Sequence, residues 1–331
     1  MSARRIRLVL TMLPAALLAG CAGVPQQAAS RTPVDFYDEG DSAIQPLVED
    51  FAAGDGVRLR FVHYPPERAN GVRLVYLNGI ESHAGWFEAP ARELAGRGYE
   101  LYLLDRRGSG LNQSGHGLRA GHVDHADTLI GDIHTFRAAL PPDGPLGLVA
   151  LSWGGKLAVG HALRHPADFD FLVLVTPGLV PRVDVTPAQK IGILFAQPFR
   201  PTALFQTPIE PWMFTRNPHF LARIERDPLR LREATARFLW ESRRLDRLIE
   251  SEIGEFRTPV LLLLAGDDVI IDNAATAALL ARGQSPLITI RRYPGLPHSL
   301  QFEIPAAIAR AMDEWITGLD AARPGSSRGS G

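Results

Sequence analysis

Four near-continuous apolar runs constrain this chain more than anything else in it. They are YELYLLD (Tyr99–Asp105), PLGLVAL (Pro145–Leu151), FDFLVLVT (Phe169–Thr176) and PVLLLLAG (Pro259–Gly266). Each is five to eight residues of mostly branched or aromatic side chains with no alternating polar face. That pattern suits strands buried on both sides in a parallel sheet. VRLRFVHY (Val57–Tyr64), GVRLVYLNG (Gly71–Gly79) and LITIRRY (Leu287–Tyr293) read as further strands. Between them lie segments of helical spacing, such as WFEAPARELAGRG (Trp86–Gly98), closed by glycine, and ADTLIGDIHTFRAAL (Ala126–Leu140). Parallel strands joined through helices require right-handed crossovers, so the expected fold is α/β, a mostly parallel central sheet with helices on both faces.

One interval breaks the alternation. From Val180 to about Ile253 no strand pair is expected; instead QKIGILFAQPF (Gln189–Phe199), NPHFLARIERD (Asn217–Asp227) and LRLREATARFLWESRRLDRLIESEI (Leu229–Ile253) have helical patterns. This reads as a helical cap, about 180–253, inserted after the sixth strand of a domain spanning 41–322. Its Leu194, Phe195, Phe199, Leu204, Phe205, Trp212, Met213 and Phe214 are expected mainly to form the cap's own core, with an acyl tunnel as the other reading for some. Its many arginines are expected on a solvated face with glutamate partners.

The second long run ends abruptly in VALSWGGKLA, Val149–Ala158, where a lone serine meets a tryptophan, two glycines and the start of a helix. A strand, a sharp turn and a helix form a nucleophile elbow, which pushes the Ser152 hydroxyl out of the sheet into a cleft. The other reading of such a serine is a helix N-cap. A serine nucleophile needs an imidazole to take its proton and a carboxylate to hold that imidazole. His298, in YPGLPHSLQFE directly after the last strand, can reach back over the sheet. LLLLAGDDVIID supplies Asp267, Asp268 and Asp272 after the preceding strand, and Asp268 is preferred because Val269–Ile271 follow it; Asp267 is the second choice. The tetrahedral oxyanion requires backbone donors. The candidates are the amides of Trp153, right after the serine, and of Ile80, in LNGIESHAGW.

These segments together resemble an α/β-hydrolase, and within it the monoacylglycerol lipase and lysophospholipase group, the serine-aminopeptidase-like hydrolases. YLNGIESHAGWF, LDRRGSGLN, VALSWGGKLA, LLAGDDVIIDN and YPGLPHSLQFE carry the resemblance, over about Val57–Leu319. Asn78 stands where the family usually has histidine, and Ala150 replaces the first elbow glycine. The resemblance implies a carboxylic-ester hydrolase working through an acyl-enzyme on mono-acyl lipids, with no metal and no cofactor. A proline-iminopeptidase-like peptidase would use the same three side chains and needs an acidic anchor in the cap, for which Glu210 and Glu225 are available. A binding protein of the same fold without catalysis is the third reading.

Other features exclude or localise. A formal net charge of −1 gives no reason to expect nucleic acid as a partner. His116, His122 and His125 lie close in sequence but meet no standard metal-ligand spacing. DRRGSG lacks a dinucleotide fingerprint; it is expected to form a tight turn beside the active site, with Arg106 and Arg107 solvated or salt-bridged in preference to orienting a polar head group. Residues 1–20 read as a signal peptide: Arg4, Arg5 and Arg7, then LVLTMLPAALLAG, too short for a comfortable span. The end, Leu18-Ala19-Gly20-Cys21, resembles the bacterial lipobox and uses the chain's one cysteine. That implies lipidation at Cys21, a membrane partner, and a place in the cell envelope, facing the periplasm from the outer membrane. Residues 21–40 read as lipidated N-terminus and linker, with Gln26–Pro33 as tether, and 323–331 as a disordered tail.

Overall fold

A computed structural model describes residues 32–33 and 44–322. Residues 1–31, 34–43 and 323–331 lie outside it, and with them the signal segment, Cys21 and the tail. Among the described residues no helix is long and apolar enough to cross a membrane.

The strands are β1 (Thr32–Pro33), β2 (Leu47–Ala52), β3 (Arg58–Tyr64), β4 (Arg73–Leu77), β5 (Glu100–Leu104), β6 (Leu146–Leu151), β7 (Phe171–Val175), β8 (Val260–Ala265) and β9 (Ile288–Tyr293). They form one sheet in the order β1-β2-β3-β5-β4-β6-β7-β8-β9. Pairing is antiparallel from β1 to β5 and parallel from β5 onward. Two residues of the segment read as a tether therefore pair with the sheet, Thr32 with Val48 and Pro33 with Leu47.

The buried runs are sorted residue by residue, because successive side chains point to opposite faces. Leu148, Ala150, Leu262 and Leu264 enter the core under helices α2 (Ala126–Ala139) and α3 (Trp153–Arg164). Val149, Leu151, Leu261 and Leu263 enter the second core, under α1 (Glu88–Gly96) and the C-terminal helix Pro305–Ala322.

The cap follows β7. It contains α4 (Pro187–Phe199), α5 (Pro211–Phe214), α6 (Pro218–Arg226) and α7 (Ala236–Glu252). Two expectations fail here. A strand pair does exist, Leu204–Gln206 antiparallel to Glu233–Thr235. The helix expected from Leu229 starts only at Ala236, because Thr235 caps it, its hydroxyl accepting from the Phe238 amide at 3.2 Å. The cap's large apolar side chains meet the expectation only in part. Phe214, Ile193 and Ile224 are buried, but Leu194, Phe195, Phe199, Leu204 and Trp212 are more than half exposed.

Candidate active site

In an open parallel sheet, side chains meet at the carboxyl ends of the strands. β4 and β6 are hydrogen-bonded neighbours, Leu77 opposite Ala150, so the loop after β4 and the elbow after β6 share one edge. β8 and β9 lie two and three strands further on.

Ser152 adopts φ 52°, ψ −123°, a backbone conformation that L-residues rarely take. Close packing enforces it. A Cβ on Gly154 would lie 2.6 Å from the Leu77 carbonyl oxygen, and one on Gly155 would lie 2.4 Å from Pro177 Cβ. Ala150 is fully buried in β6, and the elbow forms with its methyl in place of the usual glycine. Ser152 heads α3 but its side chain caps nothing there. Its hydroxyl instead donates to His298 Nε2 at 3.0 Å. His298 Nδ1–H donates to Asp268 Oδ2 at 2.8 Å. The other Asp268 oxygen accepts from the Ile270 and Ile271 amides at 2.8 and 3.0 Å. The three residues chosen from the sequence thus form one hydrogen-bonded line. Ser152 is 7% exposed, Asp268 3% and His298 1%, so the line is shielded from bulk water. Asp267 points outward to Arg216 at 3.0 Å, and Asp272 caps the next helix by accepting from Ala275.

Burial alone would raise the Asp268 carboxyl. The adjacent His298 imidazole and the two amide donors outweigh burial and hold the group below the ordinary carboxylate range.

The loop after β4 is braced from below by a residue whose role was not foreseen. Arg106 is buried, and its guanidinium donates to the Gly79 carbonyl at 2.8 Å, the Ile80 carbonyl at 2.5 Å and Ser109 Oγ at 3.0 Å. It is neither solvated nor salt-bridged, contrary to the expectation; Arg107 alone behaves as expected, pairing with Asp132 and Asp55. Burial pushes the Arg106 guanidinium down to about 10, partly opposed by the charge of Asp105. Carbonyl and N–H point in opposite directions across a trans peptide. With the Gly79 carbonyl held by Arg106, the Ile80 N–H therefore faces away from the guanidinium. The Trp153 amide is in the first turn of α3 and has no acceptor within the helix. Asn78 takes up the bracing expected of a histidine by donating to the Ser82 carbonyl and, at 2.7 Å, to Ser109 Oγ.

The same loop is locked to the cap. Arg230 meets the buried carboxylate of Glu81 at 2.7 Å, and Thr207 donates to it as well. His83, in the same loop, is buried and bonded through Nε2 to Asp227 at 2.9 Å, where the Trp86 indole also donates.

A cavity of about 440 Å³ opens at Ser152 between the sheet edge and the cap. Ile80, Trp153, Ile193, Leu239 and Ile271 make its walls largely apolar. Its polar side carries Lys156, ion-paired with Asp246, and Lys190, ion-paired with Asp184.

Both the sequence and the fold have counterparts among known proteins. Residues 70–305 match the family described as Hydrolase_4: Serine aminopeptidase, S33. The chain belongs to that family. This S33-family chain is 24% identical to a monoacylglycerol lipase of Mycolicibacterium smegmatis over 257 residues, 76% of this chain and 89% of the relative. It is 26% identical to Lysophospholipase L2 of Escherichia coli over 266 residues, 72% of this chain and 74% of the relative. Among solved structures, monoacylglycerol lipase of Paleococcus ferrophilus superposes with a TM-score of 0.69 at 20% identity, covering 78% of this chain and 98% of the other. A soluble variant of the Saccharomyces cerevisiae monoglyceride lipase superposes at 0.68 and 17% identity, covering 87% and 96%. The S33-family chain is an esterase-like α/β-hydrolase, distantly homologous to monoacylglycerol lipases and lysophospholipases.

Proposed function

We propose that this chain is a serine carboxylic-ester hydrolase that cleaves mono-acyl lipids through an acyl-enzyme. The observation that carries this reading is the Asp268–His298–Ser152 hydrogen-bonded line opening into an apolar cavity. His298 Nε2 takes the Ser152 proton as Oγ attacks the ester carbonyl. Asp268 fixes the tautomer of His298 and steadies the imidazolium. The amides of Ile80 and Trp153 receive the oxyanion, each such donor contributing on the order of 10²–10³-fold in rate. The imidazolium then protonates the leaving alcohol. A water, deprotonated by the same imidazole, attacks the acyl-serine and releases the fatty acid.

An acyl chain suits the apolar walls, and the names of the relatives point to the same class of ester. A peptidase needs a free carboxylate for the substrate amine. Glu210 and Glu225 do not line the cavity; Asp184 and Asp246 do, and lysines neutralise both. The exposed apolar side chains of α4, next to the cavity, suit an enzyme working against lipid.

We further propose that Cys21 is lipidated and holds the enzyme to the outer membrane, facing the periplasm; Cys21→Ser is then expected to move the protein from the membrane to the soluble fraction. The catalytic reading is tested with a fluorophosphonate probe and a substrate panel of p-nitrophenyl esters, monoacylglycerol, lysophospholipid and an amino-acid anilide. A Ser152 adduct is expected, with ester but not anilide turnover that falls on the order of 10⁶-fold in Ser152→Ala. Native protein that takes up no probe would leave only the binding-protein reading.

A further inference from the structure

His161 lies nine residues beyond Ser152 along α3, about 13 Å away by helical rise. It is fully buried, and its Nδ1 makes no hydrogen bond. A buried polar group left so costs about 1–3 kcal/mol. Its Nε2 lies 3.1 Å from Asp168 Oδ2 and is partnered by that carboxylate.

Asp168 Oδ2 also lies 2.7 Å from His134 Nδ1. Donor atoms of His134, His165 and Asp168 all fall within 4.8 Å of one another. We propose that His134, His165 and Asp168 form a site for a divalent transition-metal ion, with zinc as the natural probe and His161 positioning Asp168 from behind. Two imidazoles and one carboxylate, with a position left for water, fit Zn²⁺, Co²⁺, Ni²⁺ or Cu²⁺ and do not suit Mg²⁺ or Ca²⁺.

The spacing supports the site. His161 and His165 are one helical turn apart at the end of α3, Asp168 follows in the turn before β7, and His134 comes from α2. Arg137 on α2 donates from Nε to the Asp168 carbonyl at 3.2 Å and fixes that turn. Such outer contacts hold ligands in place. One adjustment is required. The His134 and His165 rings are stacked, centroids 4.2 Å apart and 15° from parallel, so their in-plane lone pairs do not converge. The His134 side chain is 49% exposed, and binding the ion requires it to exchange its Asp168 hydrogen bond for the metal by turning about its Cβ–Cγ bond. A bound ion would tie α2 to the end of α3, a structural rather than catalytic role. His122, from the histidine group that met no ligand spacing, bonds Thr235 and Asp124.

The test uses the full chain, stripped of metal with a chelator and titrated with zinc chloride by calorimetry and by thermal unfolding. One ion per chain is expected, with a Kd at or below about 10 µM and a melting point that rises with zinc. Magnesium is expected to leave the melting point unmoved. Asp168→Asn and, separately, His165→Ala are expected to weaken binding at least about tenfold. His122→Ala is expected to bind like the parent. His165 is only partly buried, so its variant keeps the comparison valid should Asp168→Asn fold poorly. Absence of saturable zinc binding below about 100 µM, or equal affinity in His165→Ala, would overturn the proposal.

Discussion

Ser152 occupies a backbone conformation costing on the order of 1–3 kcal/mol, which persists only where surrounding packing over-determines it. Gly154 and Gly155 supply that packing. Gly155→Ala must displace Pro177 and is expected to destabilise by about 1–3 kcal/mol. It is also expected to slow probe labelling of Ser152; denaturant unfolding and labelling rates check both. Asp268 offers a pH-dependent test. Its folded pKa is depressed, so its stabilising contribution is complete above the unfolded value, near 3.9. That contribution is lost as pH falls through the lower folded value. Asp268→Asn is therefore expected to lower the melting point at pH 7 and to match the parent increasingly well below pH ~4. At pH 7 its ester turnover is expected to drop ~10⁴-fold. Sequence made the serine, acid and base legible because each follows a strand readable in the chain, the first two fully buried and the third at the sheet edge. It concealed Arg106: two adjacent arginines look alike in a chain, and only the fold separates the one on carbonyls from the one on carboxylates.

At the scale of elements, legibility followed the purity of the apolar runs. β5 to β8 were readable because they are buried on both faces. β2 was not, because Glu49 and Asp50 interrupt LVEDFA, and β2 borders the antiparallel edge of the sheet. The strand Glu233–Thr235 was hidden inside an arginine-rich stretch of helical composition, and only its pairing with Leu204–Gln206 reveals it. That part of the cap bears on the oxyanion loop through Arg230 and Glu81. Both side chains are nearly fully buried, so Arg230→Ala leaves a carboxylate unpaired. The expected cost is about 3–5 kcal/mol, with slower probe labelling of Ser152 as the loop loosens. A loss under about 1 kcal/mol in chemical denaturation would mean that the cap holds its place by other contacts.

For the whole molecule, the apolar side chains left outside the cap matter most. Phe195 is 67% exposed and Phe199 82%, on the same helix as the cavity-lining Ile193. Scattered singly such residues need no explanation; a cluster marks a surface that meets something apolar. Phe195→Ser with Phe199→Ser is expected to leave hydrolysis of a soluble short-chain ester within about twofold and to reduce turnover of vesicle-borne substrate. Equal losses on both substrates would place these residues in folding instead. The order of strands carries a last consequence. Ser152 and His298 are bonded across 146 residues, and the base follows β9 at the far side of the sheet. Long-range pairings of this kind form late. A ribosome releasing the chain from its N-terminus would complete the elbow long before the base. The polypeptide would thus stay chemically inert through most of its synthesis and become reactive only when its final strand docks.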